Sequence, residues 1–154
     1  MTRINSAIPV QCLTDEHLFA EHREIKRLPF CLREAIRTGS VKNIPEKFVL
    51  GKGHVTFFLD KQKFIFKRYL DLHNEAVWRR GLIVTNYIHN WDNAYEIRDY
   101  WNDYTPTPEE RQLLIDRITD RIMHSTKRTW HYFGKAISKE DAVGMLVQNH
   151  DIYL

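Results

Sequence analysis

The sequence predicts an all-α protein, one compact domain of three principal helices packed side by side. Three stretches repeat apolar residues at the spacing of a helix, and each is bounded by helix start and stop residues. No two stretches alternate apolar and polar residues as a strand pair would, and there is no internal repeat or low-complexity run. With 154 residues and 43% apolar content, the chain is long enough to bury one core.

Residues 6–12 read as a short extended lead broken by Pro9. Thr14 caps a first helix, and Asp15 and Glu16 suit the positive end of its dipole. Leu18, His22, Ile25, Leu32 and Ile36 form its core stripe, Pro29 predicts a kink, and Gly39 closes it. Residues 40–59 read as a connector. A second helix is expected from Asp60 to Arg80, stopped by Gly81. Its rows Phe66, Leu70, His73, Val77 and Ile65, Tyr69, Leu72, Ala76 give a wide apolar face, so it is central. Residues 82–106 are rich in Trp, Tyr, Asn and Asp, with helical turns around 92–101. The third helix has the clearest start: Thr107 caps, Pro108 takes the first turn and Glu110 completes a capping box. Leu114, Ile118 and Ile122 face the core. Residues 129–137 are aromatic and basic, Trp130 is read as core, and Ser138 starts a short helix to about Met145.

No run approaches the ~20 apolar residues of a membrane span, and no basic-then-apolar leader is present. Cys12 and Cys31 form no C-x-x-C, so two reduced thiols and a cytoplasmic setting are expected. Eight histidines show no metal-ligand spacing such as H-E-x-x-H, so no metal is expected and a metal-dependent nuclease falls far behind. The net charge of +3 is uneven. Residues 1–80 hold 15 Lys/Arg against 9 Asp/Glu, whereas residues 81–154 hold 8 against 11. A basic half suits a polyanion, and a merely solvated surface is the competing reading.

The chain opens Met1-Thr2-Arg3-Ile4-Asn5. Removal of Met1 before the small Thr2 would expose an α-amine. Its pKa of about 7.7–8.0 leaves an appreciable fraction as free nucleophile near neutrality. Alone this is a weak signal, since many termini fray. Three further blocks join it: Glu21-His22-Arg23-Glu24 with Arg27, residues 53–61 from Gly53-His54 to Lys61, and residues 129–137 from Thr129-Trp130 to Ile137. Together these resemble the pyrimidine-dimer DNA glycosylases of the bacteriophage endonuclease V type. The resemblance runs over residues 1–137, is poor over 82–106, and leaves residues 138–154 as a C-terminal extension packed on the same domain.

The resemblance implies a bifunctional glycosylase and abasic-site lyase acting on ultraviolet-induced cyclobutane pyrimidine dimers, with no cofactor. Thr2 would supply the amine that forms a Schiff base with the sugar, and the N-terminal segment would pack at the active site. Glu24 would stabilise the oxocarbenium-like sugar and act as acid and base. A surface pair with Arg27 is the plain alternative for Glu24. Arg3, Arg23 and Arg27 would grip phosphates around the lesion. His54 would lie near bound DNA, against the alternative of a buried histidine bonded to backbone. Arg117 and Arg121 match the family's basic pair, with ion pairs to Asp116 and Asp120 as the rival. Lys135 is a weaker phosphate candidate. The expected partner is double-stranded DNA containing lesions, met by a monomer in the cytoplasm of a bacterial or phage-infected cell. A glycosylase for another modified base and a non-catalytic DNA-binding protein remain as alternatives.

Overall fold

A computed structural model describes residues 4–92 and 94–148. The architecture is helical, with α1 at Asp15–Ile25, α2 at Leu28–Thr38, α3 at His54–Phe57, α4 at Gln62–Asn74, α5 at Pro108–His124 and α6 at Lys139–Leu146. α4 lies at the centre, against both α1 and α2, and α6 packs on α5. Ile65, Tyr69, Leu72 and Ala76 are the deeply buried row of the central segment, while Phe66, Leu70, His73 and Val77 are half-buried. No helix among the described residues is long and apolar enough to cross a membrane. Neither Cys12 nor Cys31 is in a disulfide.

The local start signals act as the sequence predicts. Thr14 Oγ1 accepts the His17 N–H. At α5 the Thr107 hydroxyl accepts the Glu110 N–H at 3.2 Å, and the Glu110 carboxylate accepts the Thr107 N–H at 3.3 Å. This capping box satisfies two N–H groups that have no partner inside the helix.

Three expectations are corrected. The first helix is broken rather than kinked. α1 ends at Ile25, and Pro29 sits at the start of α2, where its missing N–H costs nothing. Ile36, placed on the core stripe, is 38% exposed because the break resets the helical phase. The second helix leaves α geometry at Asn74 and continues as a π-helical turn over Glu75–Arg79. Arg80 thereby turns inward to full burial of its side chain.

The third correction is a strand pair. Trp130–Tyr132 (β1) pairs antiparallel with Lys135–Ile137 (β2) through a two-residue turn. Phe133 and Gly134 both have positive φ, 54° and 76°, as a mirror-image type I turn requires. The Phe133 and Gly134 N–H groups both donate to the Asp15 carboxylate, at 3.2 and 2.8 Å. Asp15 thus holds the hairpin against the start of α1, and a Phe there in place of the usual Asn concealed the turn.

Candidate active site

The N-terminal lead is built into the core. Ile4 and Ile8 are fully buried, and Val10 and Asn5 nearly so. Three of its carbonyls face polar side chains from elsewhere in the chain. His54 Nε2 lies 2.9 Å from the Ile4 oxygen, Arg68 Nη1 donates to Ile8 at 2.7 Å, and Arg80 Nη2 donates to Val10 at 3.2 Å. Each arginine is itself neutralised in the interior. Arg68 makes a two-bond fork to Glu21 at 2.7 and 2.9 Å, and Arg80 bonds Asp15 at 2.9 Å. Charges this deeply buried persist only when paired and hydrogen-bonded. Thr2 and Arg3 lie outside the described residues.

Sequence reasoning missed Glu21, Arg68, Asp15 and Arg80 as the frame of this lead. A signal was available. Glu21 falls between Leu18 and Ile25 on the apolar stripe of α1, and Arg68 falls between Ile65 and Leu72 on that of α4. Charges of opposite sign on two facing apolar stripes point to a buried pair.

Glu24 lies one turn beyond Glu21, near the end of α1. Its side chain is 16% exposed and accepts from Arg27 Nη1 at 2.8 Å, with Arg27 itself 55% exposed. Arg23 is exposed on the same helix and lines a cavity of about 520 Å³ with Phe19, His22, Ile83 and Tyr87. So Glu24 and Arg27 are joined by an ion pair, and Arg23 is exposed beside them in sequence, with the carboxylate the least exposed of the three.

α5 carries two further candidate cations. Arg117 lines a cavity of about 410 Å³ with Lys52 and His54 at the Gly51–Thr56 turn. Arg121 lies close enough to His17 to act on its charge. Burial, together with Lys127 and Arg121 and against the pull of Glu16, lowers the His17 pKa to about 4. The neutral His17 ring stacks on Trp130 at 5.1 Å, with the planes 8° apart. Trp130 is accordingly a core residue, 9% exposed.

His54 is buried at 2% exposure. Besides the contact to Ile4, its Nδ1 lies 2.9 Å from the Val49 oxygen. Burial lowers its pKa, against the two backbone bonds that raise it. A neutral imidazole carries one N–H, so when Nδ1–H donates to Val49 the Nε2 lone pair accepts the Ile4 N–H at 3.4 Å, and both ring nitrogens face backbone. Lys135 is exposed on β2, beside the turn held by Asp15. Asp15 and Glu24 are separated by most of α1, about 13 Å at 1.5 Å per residue. The structure therefore does not bring Lys135 together with Glu24. Among the described residues no group of three His, Cys, Asp or Glu side chains could hold a metal ion.

A family model described as pyrimidine dimer DNA glycosylase matches residues 1–91. The chain belongs to that family. The match places this pyrimidine dimer glycosylase among enzymes of DNA repair, with DNA as substrate. It spans the lead, α1 to α4 and the turn ending at Trp91, and so includes Glu24, Arg23, Arg27 and His54. Arg117, Arg121 and Lys135 lie beyond it.

Proposed function

We propose that this pyrimidine dimer glycosylase is bifunctional, removing the damaged base from cyclobutane dimers and then cutting the strand at the abasic site. The observation that carries this reading is the buried lead. A terminus without a task is usually left to fray. Here Ile4 is fully buried and its peptide unit faces His54 Nε2, only two residues after Thr2 in sequence.

In this reading the Thr2 amine attacks C1′ of the sugar. The C1′–base bond breaks with its electron pair leaving on the base, which takes up a proton. The C1′–O4′ bond then breaks as the sugar ring opens, its electron pair and a proton going to O4′, and the nitrogen lone pair closes the Schiff base, the amine having given one proton to the base and one to O4′. The Glu24 carboxylate faces the positive charge that develops on the sugar. It then accepts the C2′ proton, and the electrons of that C–H bond expel the 3′ phosphate oxygen, cutting the strand. Arg3, Arg23 and Arg27 hold flanking phosphates, with Arg117, Arg121 and Lys135 as outer contacts. Residues 1–137 form the catalytic unit, and residues 138–154 are a C-terminal extension whose helix α6 packs on α5. The protein acts as a monomer and needs no cofactor.

Incision assays on three duplexes test this directly. Irradiated DNA and DNA with a plain abasic site should be cut, and undamaged DNA should not. Cutting at the abasic site alone would move the substrate to another lesion. No cutting of any duplex would reduce the protein to a DNA binder.

Salt dependence tests the interface. If about five phosphates are contacted, log K should fall with log salt at a slope near −4 to −5. Changing Arg117 and Arg121 together to Ala should flatten that slope by up to about two units. An unchanged slope would assign both arginines to intrahelical pairing with Asp116 and Asp120.

A further inference from the structure

We propose that His54 is a positioning residue for the nucleophile, gripping the peptide unit of Ile4 and so fixing where the first residues of the chain begin. The inference rests on the Schiff-base reading above and adds to it the group that aims the amine. His54 is not a catalytic residue in this role, because it acts on the reaction only through Ile4.

The geometry is specific. Nε2 lies 2.9 Å from the Ile4 oxygen and 3.4 Å from the Ile4 nitrogen, so one ring edge faces the whole peptide unit. Nδ1 on the other edge faces the Val49 oxygen at 2.9 Å. Phe48 and Phe58 meet the ring edge-on, each at 5.5 Å between centroids, and prevent it from turning. Gly53 carries the chain into the first residue of α3 at φ 91°, a conformation that other residues rarely adopt. A side chain there would also meet Pro45 and Val49 at 3.5 Å. The ring is therefore fixed on its own side before it touches the lead.

The other fastenings of the lead cannot do this work. Arg68 holds Ile8 and Arg80 holds Val10, both further from the terminus. Among the described residues His54 makes the fastening nearest Thr2. Ile4 follows Thr2 by two residues, and two residues span at most about 7 Å when fully extended. A misplacement of about 1 Å at a reacting centre can cost on the order of 10²-fold in rate. A ring needed only to brace the Gly51–Gly53 turn would use Nδ1 alone. The Nε2 contact instead crosses 50 residues to the segment that carries the nucleophile.

Two substitutions separate the two edges. The amide nitrogen of asparagine falls near Nδ1, so His54→Asn keeps the Val49 bond and releases Ile4. The amide nitrogen of glutamine falls near Nε2, so His54→Gln keeps Ile4 and releases Val49. Single-turnover borohydride trapping on a duplex with one abasic site gives a rate constant and an amplitude for each protein. Affinity for the same duplex carrying a tetrahydrofuran site is measured alongside. His54→Asn should trap at least about tenfold more slowly with affinity within about twofold of wild type. His54→Gln should stay within about threefold of the wild-type rate. A purely structural defect lowers the amplitude, because fewer molecules are folded, and leaves the rate constant of the folded ones unchanged. Leu146→Ala, a buried change in α6, which packs on α5, serves as that control and should show the amplitude effect alone. His54→Asn trapping at the wild-type rate, or the two His54 variants being equally slow, would overturn the positioning role. If the wild-type protein itself gives no adduct on Thr2, the Schiff-base reading falls instead.

Discussion

Glu24→Gln should lower turnover on dimer-containing DNA by at least about 10²-fold, the scale of losing one general acid–base group. Glu24 is off the apolar stripe of α1, and it accepts a bond from the exposed Arg27. Glutamine keeps the size and can still meet Arg27 through its amide oxygen, so the fold should be unaffected. It cannot balance a positive sugar as a carboxylate does, nor accept the proton needed for elimination. Binding to damaged DNA should persist and should tighten slightly, since one negative charge near phosphates is removed. Stopped-time assays on irradiated duplex, with binding measured separately, read the two effects apart. Cleavage at near wild-type rate would leave Glu24 as a surface partner of Arg27, and the catalytic carboxylate would have to be another residue.

Glu21→Ala should destabilise the protein by about 3–5 kcal/mol, the usual result of removing one member of a buried ion pair. Glu21 is fully buried and Arg68 is 7% exposed, with two bonds between them at 2.7 and 2.9 Å. Without the carboxylate, the guanidinium remains buried with the Ile8 carbonyl as its remaining hydrogen-bond partner among the described residues. For a domain of this size each kcal/mol lowers Tm by about 2–4 °C, so a fall on the order of 10 °C is expected in a thermal melt. Glu21→Leu combined with Arg68→Met replaces both charges by apolar groups and should recover much of that loss. An unchanged Tm in the single variant would mean that the pair does not hold the lead against α1 and α4.

The parts of the fold that were legible in the sequence are those set by near neighbours. The Thr107–Glu110 capping box spans three residues, and the buried row of Ile65, Tyr69, Leu72 and Ala76 is one helical stripe. The Arg23, Glu24 and Arg27 group was legible for the same reason, all three lying within five residues. The illegible parts depend on distant partners. The hairpin at Phe133–Gly134 is held by Asp15, more than a hundred residues away, and its strands are three residues each. Strands that short carry no alternation to read. The partner of His54 is the backbone of Ile4, and a backbone oxygen has no signature in the sequence. Burial of Glu21 and Arg68 was hinted at by their place on apolar stripes, yet each in isolation resembles a solvated helical charge.

The central claim is that the chain's own α-amine is the nucleophile. Its most direct test is borohydride reduction during reaction with DNA containing a single abasic site, followed by peptide mapping of the covalent adduct. The Schiff base should be trapped as a stable protein–DNA bond, and the modified peptide should be the mature N-terminus with the bond on Thr2, Met1 having been removed. An adduct mapped to a lysine side chain, or a mature chain that reacts while still carrying Met1, would contradict it.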